Sequence, residues 1–377
     1  MIDRLLVLRR MLTDAAADVV PDRLAEGIAK EYGTAGTELY LVDYRLAALV
    51  PVFGGPPRTH PGDPAWRCFD HQSTVREDDV IFLPVSSRGE RIGVLTCEPA
   101  PEGPDAEAEL AEVAVALAHE LQAAADGTDR YQMASRTRRL TLAAEMQWEL
   151  LPGRSRIRPS FGLAGQLEPS YAVRGDSFDW ADQDGRLSLS VLNGMGEGVS
   201  ASLLTALATF ALRNARRAGI GPADQAALAD QAIYAEHRGA AHVSALILEL
   251  DLATGEVLAI DAGSPRLLLL RRGIVHEQRL TEQFPLGMFE ETDYQVESFR
   301  LEPGDRLMMV SDGVHDAVTA AGRYGDAALA RFVRRTGPLA PLQAVRSLLG
   351  DLRAYVGDAE LDDDAVAVCL DWTGPAD

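Results

Sequence analysis

The stretch LEPGDRLMMVSDGVHDA (301–317) contains an apolar strand pattern that ends directly in Asp312, beside a glycine. Two other aspartate sites adjoin strands in the same way: Asp176 lies in VRGDSFDW (173–180), and the run DDD (362–364) precedes AVAVCLDW. Carboxylates at strand ends are held on rigid backbone, and hard divalent cations prefer such oxygen ligands. A single Asp-Gly pair is equally typical of a turn. The three sites together predict a divalent-metal site.

A fourth segment, VLNGMGEGV (191–199), is a strand pattern that runs into a glycine-rich turn and then an apolar helix pattern. One interpretation is that the glycines only allow a tight chain reversal. The other is that the turn brings the Asn193 side chain and the Gly194 carbonyl against a metal. The segment has no lysine, which disfavours a nucleotide-binding P-loop.

Around these segments, the second half alternates strand and helix patterns. Apolar runs at 186–194, 243–263 and 267–275 contain hairpin signals, and a helix is predicted over 199–215. Strand-turn-strand patterns of this kind favour a layered sheet sandwich flanked by helices over a doubly wound fold.

The first half predicts a separate α+β unit. A helical pattern over 4–31 is followed by strand patterns at 37–43 and 46–53, by a hairpin of 79–87 and 91–99, and by a helix at 105–125. A further helix is predicted over 131–151, with Leu142, Met146 and Leu150 on one face. That stripe either packs on the next domain or dimerises the protein and transmits a signal.

The composition narrows the classes of function. The chain has 377 residues, an ordinary apolar content and a formal net charge of −21, which disfavour wholesale disorder and binding to nucleic acid or anionic lipid. Its three cysteines are far apart, which argues against disulfides and a structural zinc site. No apolar run reaches the roughly 18 residues of a membrane span, so we expect a cytoplasmic protein. The negative charge makes a protein or a cation the expected partner.

The second half resembles the SpoIIE-like branch of the PPM metal-dependent Ser/Thr protein phosphatases. The similarity covers residues 140–372 in order and rests on six segments. These are AAEMQWELLP (143–152), VRGDSFDW (173–180, with Asp176 and Asp179), VLNGMGEGVSAS (191–202), DAGSPRLLLLRRG (261–273), LEPGDRLMMVSDGVHDA (301–317) and DDDAVAVCLDW (362–372). The first half is similar to GAF sensor domains, chiefly through DVIFLPVSSRGERIGVLTCEP (79–99).

These resemblances imply an α+β protein in three parts: a GAF-like α/β sensor domain (1–126), a connecting helix (127–155) and a PPM-type β-sandwich flanked by helices (156–377). They also imply a pair of Mn²⁺ or Mg²⁺ ions that activate a water for attack on a phosphoserine or phosphothreonine. By position, the ions would be held by Asp176, residue 193 with the Gly194 carbonyl, Asp312 and Asp362. Asp363 replaces Asp362 if the aspartate run is read one residue later.

The chain departs from the family pattern around this site. Asn193 stands where the family has an aspartate that bridges both metals, and an amide provides one neutral oxygen in place of a carboxylate. Further departures are Arg174 and Glu197, together with Ser264 and Ala365. Glu197 could supply the missing carboxylate, and Arg174 could bind a phosphate.

Three hypotheses follow. The first is a phosphatase that acts on a phosphorylated anti-anti-sigma factor of the STAS type under control of the sensor. The second is a pseudophosphatase that binds and regulates a partner protein without turnover. The third is a small-molecule-binding GAF switch whose partner domain is only structural.

Overall fold

The structure is a computed structural model that describes residues 4–170, 173–319, 322–357 and 361–376. The chain divides into two compact units, Met1–Arg139 and Leu140–Asp377. Within the described ranges, no helix combines the length and the apolar character that a bilayer crossing requires.

The first unit is a five-stranded antiparallel sheet with helices. Its helices are α1 (Arg4–Asp14), α2 (Val20–Tyr32), α3 (Pro64–His71), α4 (Pro104–Ala124) and α5 (Arg130–Ala134), and its strands are β1 (Gly36–Val42), β2 (Leu49–Pro51), β3 (Val75–Glu77), β4 (Val80–Ser87) and β5 (Glu90–Glu98). The strand order is β2-β1-β5-β4-β3. The predicted hairpin of β4 and β5 is confirmed.

The core of this unit lies between one face of the sheet and three helices. Alternate residues of β1, such as Leu39 and Leu41, pack with Leu8 and Leu12 of α1 and with the apolar stripe of α4. Burial of these side chains supplies the main driving force for folding of the unit.

The second unit contains helices α6 (Leu142–Leu150), α7 (Gly198–Arg217), α8 (Pro222–His237), α9 (Asp312–His315), α10 (Ala330–Arg335) and α11 (Pro341–Val356). Its strands are β6 (Ser155–Arg158), β7 (Phe161–Glu168), β8 (Asp176–Gln183), β9 (Arg186–Gly194), β10 (Val243–Asp251), β11 (Glu256–Ala262), β12 (Arg266–Arg271), β13 (Ile274–Glu277), β14 (Glu297–Arg300), β15 (Asp305–Val310), β16 (Val318–Thr319), β17 (Gly322–Arg323) and β18 (Ala365–Trp372).

Two antiparallel sheets of this unit form a sandwich. One has the order β14-β11-β10-β9-β8 and the other the order β13-β12-β15-β18-β7-β6. Apolar residues of α7 and α8 pack on the first sheet, and α11 packs on β7 and β18 of the second. The predicted mixed α+β fold, with a helix-flanked sheet sandwich in the second half, is confirmed.

Two predicted helices are wrong in their continuity. The pattern over 4–31 forms two helices, α1 and α2. Pro21 has no backbone N–H, so it would disrupt the interior of one continuous helix, whereas it is tolerated in the first turn of α2. The pattern over 131–151 forms α5 and α6. Thr141 caps the start of α6 by accepting a hydrogen bond from the Ala144 N–H, so residues 135–141 are not helical.

Candidate active site

The first two residues of the site face each other across β8 and β9. Asp176 begins β8, Asn193 is the second-last residue of β9, and the two are direct partners in the antiparallel ladder. Side chains of directly opposed residues have Cβ atoms about 4.5–5.5 Å apart. The pairing therefore places the Asp176 carboxylate beside the Asn193 amide at one rim of the first sheet.

The second sheet contributes Asp312 and the aspartate run. Ser311 follows β15, and its backbone N–H donates to the Val366 carbonyl (3.1 Å) while its Oγ accepts from the Val366 N–H (2.9 Å). Gly313 is required here because a Cβ would lie 1.9 Å from the Asp364 carbonyl oxygen. This close approach brings Asp312 next to the start of β18.

Asp364 joins the two sheets. It is fully buried, and its Oδ1 accepts from the N–H and hydroxyl of Ser170 (2.7 and 2.8 Å). Its Oδ2 accepts from the backbone N–H groups of Arg174 and Gly175 (2.7 and 3.0 Å) and from Nε2 of Gln147 (2.7 Å). A carboxylate with this many donors fixes the loop that leads into Asp176.

The electrostatics of the cluster are those of crowded acids. Asp176 is fully buried, and its carboxylate oxygens make no hydrogen bond of normal geometry to a described residue, although the nearby Ser311 hydroxyl partly opposes the rise in its pKa. Burial, and then the charge of Asp312, raises the pKa of Asp176 well above its ordinary value. Burial also raises the pKa of Asp312, and burial followed by Asp312 raises the pKa of Asp363 to about 6. The cluster therefore favours a bound proton or cation.

Asn193 already interacts with one of these acids. Its Nδ2 donates to Asp312 Oδ2 at 2.6 Å and lies 3.5 Å from the Ser264 hydroxyl. His315 Nε2 in turn donates to the Ser264 carbonyl at 3.1 Å. Asn193 and Ser264, two of the departures from the family pattern, thus form one connected polar network with Asp312 and His315.

The structure brings Asp176, Asn193, Asp312 and Asp363 together and leaves two other candidates outside. Asp362 is exposed, so the geometry favours the alternative in which Asp363 joins the cluster. Glu197 is an exposed residue at the start of α7.

Two further residues flank the cluster in the core. Asp179 is buried on β8 and pairs with Arg213 (2.8 Å) and Arg216 (3.0 Å) of α7. Gly194 is buried against α7, where a Cβ would meet the Thr205 hydroxyl at 2.2 Å.

Sequence reasoning missed two positioning residues. The capping role of Asp364 depends on a loop that converges on it from nearly 200 residues earlier in the chain, which no local pattern signals. Gln147 of α6 donates to both Asp364 Oδ2 and the Asp176 carbonyl, at 2.7 and 3.0 Å. Its signal was the glutamine of the segment AAEMQWELLP, whose side chain was given no role.

The residues present fit a divalent cation in their chemistry. Asp176 offers two buried oxygens that make no hydrogen bond of normal geometry within the described ranges, and Asp312 and Asp363 add carboxylate oxygens next to them. Among the residues that the structure describes, no three His, Cys, Asp or Glu side chains already have the spacing of metal ligands. Asp312 Oδ2 accepts from Asn193 and Oδ1 from the Gly313 N–H, so each oxygen keeps a further lone pair that could serve a cation.

Comparison with known proteins identifies the class. Residues 183–373, about half of the chain, match the family model described as Stage II sporulation protein E (SpoIIE). The phosphoserine phosphatase RsbP of Bacillus subtilis is 26% identical over 153 residues, which are 39% of this chain and 38% of that protein. The match therefore spans well under half the length of that curated relative.

Solved structures support the same fold. The RsbU and RsbW domains of a Mycobacterium tuberculosis protein superpose with a TM-score of 0.53 at 22% identity, over 60% of this chain and 64% of that one. The SiaA-PP2C domain of Pseudomonas aeruginosa gives 0.50 at 21% identity, over 56% and 85%.

The sandwich and the acidic cluster at its rim define a PPM-type phosphatase domain. The chain belongs to the SpoIIE family.

Proposed function

We propose that the second unit hydrolyses phosphoserine or phosphothreonine in a protein, with Mg²⁺ or Mn²⁺ held by Asp176, Asp312 and Asp363. The observation that carries this proposal is the fully buried Asp176 carboxylate, which makes no hydrogen bond of normal geometry to a described residue and lies beside other acids. Such a group is costly unless a cation or proton compensates it.

The chain's own residues provide the frame for this reaction. A bound divalent ion would lower the pKa of a water and neutralise charge on the phosphoryl oxygens. Asp364 and Gln147 hold the backbone of Asp176 in place, and Ser311 holds Asp312 against β18. These buried contacts position the carboxylates before any ligand arrives.

A pseudophosphatase is the second candidate, and the Asn193 amide favours it. In the free chain this amide donates to Asp312 at 2.6 Å, so one carboxylate of the cluster is stabilised without any metal. Replacing a bridging carboxylate by a neutral amide also removes one unit of negative charge that would attract cations. In this case the domain would bind a partner protein and regulate it without turnover.

The test is Mn²⁺-dependent phosphate release from p-nitrophenyl phosphate and from a phosphorylated STAS protein. Turnover by the wild type that Asp312→Ala abolishes would establish the phosphatase and reject the pseudophosphatase. An inert wild type that gains activity in Asn193→Asp would establish the reverse and identify the bridging position as the missing part.

The substrate that we propose is a phosphorylated anti-anti-sigma protein of the STAS type, or a related regulator, in the bacterial cytoplasm. The support is the family membership and the similarity to RsbP and to the RsbU and RsbW domains. Faster release from the phosphorylated STAS protein than from an unrelated phosphoprotein is the expected result. Equal rates would reject this substrate class.

For residues 1–126 we propose a GAF-like sensor role, joined to the phosphatase domain (156–377) through residues 127–155. An open cavity of about 410 Å³ in this unit supports a small-molecule ligand; it is lined by the β1 residues Glu38 and Tyr40, by Pro51, and by Gly54–His60 and Asp63 of the following loop. Native mass spectrometry of the purified chain should show a retained ligand or a shift on ligand addition. A retained ligand in the first unit, together with neither turnover nor partner binding by the second unit, would favour a small-molecule-binding switch whose second unit is only structural.

We also propose a homodimer through residues 131–151. Leu142 of the predicted stripe is exposed, whereas Leu150 is buried in the second unit. Light scattering at micromolar concentration should give twice the chain mass, and Leu142→Asp should lower it. A monomeric mass for the wild type would reject the dimer.

A further inference from the structure

Arg174 lies beside the acidic cluster, two residues before Asp176. The side chain is exposed, and among the described residues its guanidinium has no hydrogen bond or ion pair. Its positive charge nevertheless acts on Asp363, where it partly opposes the effect of burial. Other arginines of the same unit, such as Arg213, Arg271 and Arg306, pair with buried or half-buried aspartates.

Hydrogen bonds of the surrounding loop hold the backbone of this residue in place. The Arg174 N–H donates to the buried Asp364 carboxylate at 2.7 Å. The preceding Val173 is buried, and its carbonyl accepts from the Gly198 N–H at 2.7 Å. Arg174 is therefore a long cation without an ion pair among the described residues, and its Cα is held two residues from Asp176.

The charges of the site give this cation a use. Asp176, Asp312 and Asp363 are acids, and the neutral Asn193 contributes no negative charge to attract metal ions. A phosphoryl group beside three carboxylates needs positive charge on its oxygens. A guanidinium provides it directly, because its planar fork of donors matches two phosphoryl oxygens.

We propose that Arg174 is a substrate-binding residue that contacts the phosphoryl oxygens of the phosphoprotein at the rim of the cluster. This inference rests on the proposed function, because it assigns a phosphoryl ligand to the same site. Arg174 supplies, from the protein itself, part of the positive charge that the site would otherwise draw from metal ions.

The test measures equilibrium binding of inorganic phosphate to the full chain with saturating Mg²⁺, by ³¹P NMR titration. Arg174→Ala should weaken phosphate binding about tenfold or more, as expected for loss of a charge-assisted bidentate contact. Arg174→Lys should lose less, because it keeps the charge but not the fork. Arg217→Ala is the matched control, since Arg217 is exposed on α7 and also has no partner among the described residues. It should bind phosphate as the wild type does.

A second measurement separates Arg174 from the metal. Isothermal titration with Mg²⁺ alone should give Arg174→Ala an affinity equal to or tighter than that of the wild type, because a nearby positive charge has been removed. Equal phosphate affinity in wild type and Arg174→Ala, no phosphate binding by the wild type, or a parallel loss of Mg²⁺ affinity would each overturn the proposal.

The proposed hydrolysis can fail separately. A wild type that binds phosphate through Arg174 but releases no p-nitrophenol would reject the enzyme and leave the binding role of Arg174 intact. If Arg174→Ala changes neither turnover nor phosphate affinity, the proposed hydrolysis stands and the binding role of Arg174 is rejected.

Discussion

Asn193 faces Asp176 across the β8–β9 ladder and donates a hydrogen bond to Asp312, so its amide lies between two acids of the cluster. Asn193→Asp would replace that donor by a fourth acid, which raises repulsion in the free chain and adds a charged ligand for a cation. We expect Mn²⁺ affinity to rise at least about tenfold, which corresponds to about 1.4 kcal/mol. Isothermal titration calorimetry checks this. Equal affinity in the two proteins would contradict a ligand role for position 193.

Ser264→Ala is the matched control for that substitution. It removes the long 3.5 Å contact to the Asn193 amide without adding charge. Its Mn²⁺ affinity should therefore stay within about twofold of the wild type, since a contact of this length contributes little.

The raised pKa values predict how the free chain responds to pH. Asp176, Asp312 and Asp363 bind protons more readily when folded than when unfolded, where the pKa of Asp is about 3.9. Their contribution to stability is therefore complete below that value and is lost as pH rises through the folded pKa, which is about 6 for Asp363. Without metal, the melting temperature of the second unit should fall as the pH rises from about 4, the unfolded pKa, through about 6, the folded pKa of Asp363.

Asp176→Asn isolates that effect from other titrating groups. It keeps the shape of the side chain and removes the buried charge, so its melting temperature should depend less on pH over the same range. An identical pH dependence in wild type and variant would show that the cluster does not govern it.

At the level of elements, α6 is tied to the site by one side chain. Gln147 is buried and donates to Asp364 Oδ2 and to the Asp176 carbonyl. Gln147→Ala leaves both acceptors short of a donor, which should cost about 1–3 kcal/mol in the free energy of unfolding. Glu149→Ala, an exposed position of the same helix, should change it by less than about 0.5 kcal/mol. Urea unfolding of both variants makes the comparison, and equal losses would contradict the positioning role.

The elements themselves were largely predictable where the pattern is local. Strands β4, β5 and β9 follow from alternating or continuous apolar runs that end at glycine turns. The breaks before α2 and α6 were not predicted, because the apolar periodicity continues across both positions. The backbone is nevertheless interrupted, before Pro21 in the first case and at the helix-capping Thr141 in the second.

The site divides in the same way. Asp176 and Asp312 were found because they adjoin apolar strand patterns, which is a property of the sequence. The choice between Asp362 and Asp363 was not available from sequence, because it depends on how the chain bends into β18. The capping by Asp364 depends on a loop from another part of the unit.

At the scale of the whole chain, the acidic cluster belongs to only one of the two compact units. A ligand that binds only the folded form stabilises it by mass action, by about 2.7 kcal/mol at a hundredfold excess over Kd. Mg²⁺ should therefore raise the unfolding temperature of the second unit and leave that of the first unchanged. Differential scanning calorimetry of wild type and Asp176→Asn checks this, and the variant should show no shift. An equal shift in both proteins would place the ion elsewhere.

The aspartate run 362–364 has a consequence for how the gene can change. Because its three residues are identical, loss of any one codon yields the same shortened protein. That protein still has one aspartate next to Asp312 and one to accept the hydrogen bonds from Ser170 and Arg174. The position that is lost is then the exposed one, which Asp362 occupies in the full run. We therefore expect a one-residue deletion within the run to be tolerated better than deletion of Gly313, because a residue with a Cβ cannot make the same close approach to the Asp364 carbonyl.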